Sequence, residues 1–162
     1  MSSNPPTIAE ADEFSEVIHQ GVLIVDDNEQ NLELLQAYLD DLGGPVRVVS
    51  DGIQAIESVR DNPPDIILLD IMMPKMSGYQ VCQQLKGGAE TKDIPIIMVT
   101  ALSEVGDVER AIDVGADDFL TKPVNKLELL TRVRSLLRVR QLKRDLDDAV
   151  AEVRALRDQA GD

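Results

Sequence analysis

Five residues of this 162-residue sequence combine side-chain type and placement in a way that suits catalysis: Asp26, Asp27, Asp70, Thr100 and Lys122. Three carboxylates gathered in one place repel one another and hold raised pKa values unless a cation neutralises them. A set of hard oxygen donors favours magnesium, which keeps several waters and tends to bind substrate phosphate. Lys122 adds a positive charge for a phosphoryl or carboxylate oxygen, and the Thr100 hydroxyl can hydrogen-bond a transferred phosphoryl oxygen. Together these groups describe phosphoryl chemistry better than hydride transfer. The loop after Val25 carries no G-x-G-x-x-G fingerprint, and no G-x-x-x-x-G-K-[ST] loop occurs anywhere in the chain.

The elements that must position them follow from the apolar pattern. Short apolar runs occupy Val22–Val25, Val46–Val49, Ile66–Leu69, Ile94–Val99 and Asp118–Thr121. The first, third and fourth are nearly continuous, as strands covered on both faces by helices are. The last is weaker and reads as an edge strand. Between them lie helical stripes. Leu32, Leu34, Leu35, Tyr38, Leu39 and Leu42 follow Asn28 and stop at Gly43-Gly44. Ile53, Ile56 and Val59 follow a cap at Asp51 and stop before Asn62-Pro63-Pro64. Val81, Cys82 and Leu85 end at Gly87-Gly88, and Val105, Val108, Ile112 and Val114 run from near Ser103 to Gly115. This alternation predicts a parallel α/β sheet with helices on both faces. Ligands of such sheets bind at the carboxyl ends of the strands, where all five residues fall. Singly, each has a plainer reading: Asp26 and Asp27 as helix caps, Asp70 as a turn residue, Thr100 as a cap, Lys122 as a solvated lysine. Their shared placement carries the chemistry.

Thirty acidic against sixteen basic residues give a net charge of -14. Residues 1–131 hold 24 acids and 8 bases, whereas residues 132–162 hold 6 and 8. Direct nucleic-acid binding by the globular part is disfavoured, because phosphate backbones are recognised by basic surfaces. No run approaches the roughly 20 apolar residues that cross a bilayer, and the first twenty residues contain no lysine or arginine, unlike a secretory leader. A cytoplasmic protein without membrane contact is expected. Cys82 is alone, so it can form no internal disulfide and reads as a buried spectator. His19, also alone, is assigned no function.

Residues 1–20 contain Pro5-Pro6 and read as a flexible or partly helical leader. From Val124 the chain reads helical until Gly161. Leu127, Leu130, Val133 and Leu137 suit packing on the sheet. A different register then takes over at Val139, Leu142, Leu146, Ala149, Val153 and Leu156, an a/d seam of about three heptads. A helix projecting beyond a small domain has little of its own to pack against, so coiled-coil pairing between copies is expected; a solvated tail or a fold-back is the alternative.

Four segments carry a family resemblance: Leu23-Ile-Val-Asp-Asp-Asn28, Ile67-Leu-Leu-Asp-Ile-Met-Met-Pro-Lys-Met-Ser-Gly78, Pro95-Ile-Ile-Met-Val-Thr-Ala101 and Gly115-Ala-Asp-Asp-Phe-Leu-Thr-Lys-Pro123. In content and spacing the sequence resembles the receiver domain of two-component response regulators over residues 21–137, leaving 138–162 as an extension of the fifth helix. The resemblance implies a flavodoxin-like (βα)5 doubly wound sheet of strand order 2-1-3-4-5. It makes Asp70 the phosphoacceptor, fed by a histidine kinase or a histidine phosphotransfer protein. It assigns magnesium to the side chains of Asp27 and Asp70 and the backbone carbonyl of Met72, with Asp26 acting mainly through a metal-bound water. Lys122 would hold a phosphoryl oxygen, Thr100 and Phe119 would act as the conformational switch, and the Lys122-Pro123 peptide would be cis. Phe119 stands where tyrosine is commoner, so a polar anchor for that ring would be missing.

The region from Phe119 through the fifth helix looks most like receivers that precede cyclase-type outputs. No catalytic output domain is expected in this sequence; its chemistry would be phosphorylation and dephosphorylation at Asp70 alone, with the C-terminal helix as output. The alternatives are a stand-alone phosphorelay shuttle, a receiver fragment of a larger regulator such as a diguanylate cyclase, and, less favoured, an aspartyl-phosphate hydrolase.

Overall fold

The structure, a computed structural model, describes residues 20–101 and 104–161. The leader falls outside the described residues, as does Ser103 itself, while the helix expected to start near it begins at Val105 with Glu104 as cap. In chain order the elements are β1 (Val22–Val25), α1 (Glu29–Leu39) with a 3-10 turn at Asp40–Leu42, β2 (Val46–Val49), α2 (Gly52–Asp61), β3 (Ile66–Leu69), α3 (Gly78–Gly87), β4 (Ile96–Thr100), α4 (Val105–Asp113), β5 (Asp118–Thr121) and α5 (Lys126–Ala160). The strands form one parallel sheet in the order β2-β1-β3-β4-β5, as the resemblance implied.

Alternation along the strands divides the core in two. Val22, Ile24, Ile66, Leu68, Ile97, Val99 and Leu120 face α1 and α5, whereas Leu23, Val25, Ile67, Leu69, Ile96 and Met98 face α2, α3 and α4. Burying one such side chain stabilises the fold by about 1.5–3 kcal/mol. Helix starts are set by local caps. Asn28 accepts from the Asn31 N–H, Asp51 from Gln54 and Asn125 from Glu128, while Ser77 and Gln80 form a capping box. Asp26 and Asp27 therefore do not cap α1, and α4 takes Glu104 as its cap instead of Thr100.

Several expectations need correction. β4 runs two residues later at its start than the apolar run, because Pro95 has no N–H and contributes only its carbonyl, which accepts from Ile67. Leu34 and Ile53 lie on the outer faces of α1 and α2. α4 buries only Ala111, with Val108 and Val114 half-buried, while Val105 and Ile112 are exposed. On α5 the packing stripe is Leu129, Leu130, Val133 and Leu137; Leu127 is exposed. Cys82 is buried as expected, and burial pushes its thiol up to about 11, too high for reactivity. Among the described residues no helix is long and apolar enough to cross a membrane.

α5 has 35 residues and runs back from the carboxyl edge of the sheet to beyond its amino edge. Its exit is fixed by Arg140, whose Nη1 donates to the carbonyls of Pro64 (3.1 Å) and Asp65 (2.6 Å). The Asp65 carboxylate is itself buried and accepts from the N–H groups of Gln20 and Gly21. Lys143 adds an ion pair to Asp93 at 2.7 Å.

Candidate phosphoryl and metal site

The parallel ladder delivers the candidate side chains to one place. The Asp70 N–H donates to the Val25 carbonyl (2.9 Å), the Asp26 N–H to Val49 (3.2 Å) and the Lys122 N–H to Thr100 (2.8 Å). Three residues that directly follow their strands are thereby held at the carboxyl edge, and Thr100 itself is the last residue of β4. Carboxylate oxygens of Asp26, Asp27 and Asp70 all lie within 4.8 Å of one another. Lys122 Nζ sits 2.9 Å from Asp26 Oδ2 and 3.7 Å from Asp70 Oδ2. The Lys122-Pro123 peptide is cis.

Asp26, Asp70 and Thr100 are buried, while Asp27 is exposed. Asp26 Oδ1 also accepts from the Asn28 N–H at 2.8 Å. Asp70 is the group whose titration is most disturbed. Burial pushes its carboxyl up to about 6, Asp26 and Asp27 push the same way, and Lys122 and a hydrogen bond from the Met72 N–H oppose them.

Three carboxylates face one ammonium, so the ionised cluster holds an excess of negative charge. Its donors are hard oxygens, and one of them lies open to water. That set fits a divalent ion such as magnesium, which binds through few carboxylates and retains waters.

The loop between β3 and α3 is pressed against Asp70. The Gly78 N–H donates to the Ile71 carbonyl (2.9 Å), and a Cβ at Gly78 would stand 2.2 Å from the Asp70 carbonyl oxygen. Lys75 in the same loop has a φ of 70°. The sequence showed Gly78 only as the end of a motif; its steric role emerges once the Asp70 carbonyl is placed. Met72, whose carbonyl was expected near a metal, has an exposed side chain beside the cluster. Phe119 packs against the core on the α2–α3–α4 side, three residues before Lys122. Geometry thus joins Asp26, Asp27, Asp70 and Lys122 directly, with Thr100 tied in through its backbone.

Known proteins resemble this chain in sequence and fold. Residues 22–134 match the family described as the response regulator receiver domain. Over 117 residues the chain is 45% identical to the response regulator PleD of Caulobacter vibrioides, covering 72% of this chain and 26% of PleD. It is 43% identical to the transcriptional regulator RpaA of Synechocystis sp., covering 72% of this chain and 48% of RpaA. The chain thus spans between a quarter and a half of the length of these curated relatives. Among solved structures, the receiver domain of a signal transduction histidine kinase from Syntrophus aciditrophicus superposes with a TM-score of 0.69 at 38% identity, covering 74% of this chain and 90% of that one. The receiver domain of sensor histidine kinase PA1611 from Pseudomonas aeruginosa, which has a magnesium ion coordinated in its active site cleft, gives 0.68 at 34% identity, covering 73% and 97%. A matched family region, a shared sheet order and a carboxylate cluster closed by a lysine agree: the chain belongs to the response regulator receiver domain family.

Proposed function

We propose that the chain is a phosphorylation-controlled signalling module of a two-component phosphorelay, with Asp70 as phosphoacceptor. The observation that carries this reading is the position of Lys122 Nζ between Asp26 and Asp70, beside a cluster with excess negative charge. The side chains of Asp27 and Asp70 and the carbonyl of Met72 would hold magnesium, with Asp26 acting through a water. The ion would supply positive charge to the phosphoryl oxygens. A phosphohistidine on a kinase or phosphotransfer partner, or a small phosphodonor, presents its phosphorus to the Asp70 carboxylate. The new O–P bond forms as the P–N bond breaks, its electron pair returning to the imidazole. Lys122 steadies an equatorial oxygen during transfer. Water later attacks phosphorus, releasing phosphate and restoring the carboxylate.

Thr100 and Phe119 would communicate the change, the hydroxyl by bonding the phosphoryl group and the ring by repositioning beside β5. Residues 21–137 would form the receiver, and 138–162 a pairing element. A second copy is favoured as the partner of that element because its apolar residues stand uncovered.

The test is incubation with magnesium and a small phosphodonor, followed by intact mass. One phosphoryl group per chain in the wild type and none in Asp70→Asn is expected. Continuous release of phosphate from a phosphomonoester would overturn the reading in favour of a hydrolase, and modification of Asp70→Asn would overturn the site.

A further inference from the structure

The outer half of α5 carries more information than the presence of a seam. Val139, Leu142, Leu146, Val153 and Leu156 are each 58–65% exposed. At 100° per residue, this line lies nearly half a turn from the stripe of Leu130, Val133 and Leu137 that packs on the sheet. The receiver that carries the helix therefore cannot cover the seam while that stripe stays buried. A fold-back would need a break, and the helix is continuous from Lys126 to Ala160.

Heptad core positions bear on the number of strands, and the flanking e and g positions on their orientation. With Val139, Leu146 and Val153 at a and Leu142, Ala149 and Leu156 at d, the first and third heptads pair a β-branched a residue with leucine at d. Within a parallel coiled coil that combination favours two strands over three or four; the direction is set by the flanking charges. The flanking charges favour the parallel direction. In a parallel pair each g residue meets the e residue five positions on in the other helix, which sets Glu152 against Arg157 twice by symmetry. Asp145 then meets the uncharged Val150. The like-charge contact, Arg138 against Lys143, also occurs twice by symmetry; it is relieved because Lys143 already pairs with Asp93 of its own receiver at 2.7 Å. The antiparallel arrangement with full overlap, Val139 opposite Leu156, sets Asp145 against Glu152 twice and gains no opposite-charge pair in return.

We infer that two copies of this chain pair through residues 139–160 as a parallel, in-register coiled coil, with both receivers at the same end. The inference rests on the self-pairing proposed above and adds its direction.

A charge substitution separates the orientations by sign. Glu152→Arg, made in the full chain, would face Arg157 in a parallel pair and Asp145 in an antiparallel one. Light scattering over a dilution series is expected to show dimerisation weakened about threefold to tenfold, with recovery in the Glu152→Arg/Arg157→Glu double variant. Tighter pairing in Glu152→Arg would overturn the parallel direction and leave self-pairing standing.

A second measurement fixes the register: Val139→Cys and Leu156→Cys chains are mixed and equilibrated in a glutathione redox buffer. Cys82 is buried and stays out of the exchange. Disulfides joining like chains support the inference, and an excess of mixed disulfide overturns it. A wild-type chain that stays monomeric at every concentration overturns self-pairing and this inference with it.

Discussion

The carboxyl edge of the sheet is short of positive charge, and the outer half of α5 is short of apolar cover. The first deficit is buried and local. Three carboxylates share one lysine, and the Asp70 carboxyl is pushed up by its burial first and by Asp26 and Asp27 after it. The second is exposed and spread along about 25 Å of helix, from Val139 to Leu156. A buried imbalance selects a small, hard ligand because only an ion fits among fixed oxygens. An extended imbalance selects a surface of matching length. The proposed ion and the proposed second copy thus answer different kinds of deficit, at opposite edges of one sheet.

The largest expected effect separates the two regions completely. Asp70→Asn abolishes phosphoryl uptake, read by intact mass, while the unphosphorylated variant keeps the wild-type sizing profile; a changed profile would break the separation.

Leucine truncations within the one helix come next. Leu129 is fully buried and Leu146 is 63% exposed. Leu129→Ala should cost about 2–5 kcal/mol in denaturant unfolding, whereas Leu146→Ala should leave the stability of the dilute monomer within about 0.5 kcal/mol. Equal costs would mean that the outer half packs on its own receiver after all.

The third prediction concerns pH. Because the Asp70 carboxyl is pushed up to about 6, the folded chain binds more protons than the unfolded one between about pH 4 and 6. Its contribution to stability therefore falls as pH rises through that window. Asp70→Asn removes the penalty, so the metal-free variant should be more stable than wild type by on the order of 2 kcal/mol at pH 7.5 and no more stable at pH 4. Magnesium needs the ionised carboxylate, so its apparent affinity should drop about tenfold per unit below pH 6. A gain that persists at pH 4 would locate the effect in packing instead of charge.

The smallest effect lies where the regions meet. Arg140→Ala removes the bonds to Pro64 and Asp65 and should cost about 1 kcal/mol. Amide exchange should accelerate from residue 140 outward; unchanged protection there would show that apolar packing alone holds the exit.

The parts visible in the sequence were those written in local patterns. Alternating runs and capping residues such as Asn28 and Asp51 mark the elements, and the polar residues at strand ends mark the site. Which side of a helix faces inward was less legible where the helix is short or apolar on two sides. Leu127 and Leu129 both fit a helical stripe with Leu130 and Val133, and only the sheet decides between them. Val105 and Ile112 likewise match helical spacing, but α4 turns them outward and buries Ala111. Long-range bonds to backbone leave no local trace at all. Lys86 Nζ, for example, reaches the Ile94 carbonyl and the Asp117 carboxylate, both at 2.8 Å, and ties α3 beneath β4 and β5. The upward shift of Asp70 belongs to the same class, because burial depends on what folds around it.

The anchoring of α5 at Arg140 also has a mechanical side. Beyond Lys143 the helix continues for about 17 residues, a stiff arm of roughly 25 Å. With its fulcrum at the amino edge of β3, a tilt of about 5° in the packed half would carry the tip about 2 Å, a distance comparable to the rise of one residue along the rod. A helix clamped near its midpoint is a lever, and small displacements of its packed half leave the molecule magnified at the far end.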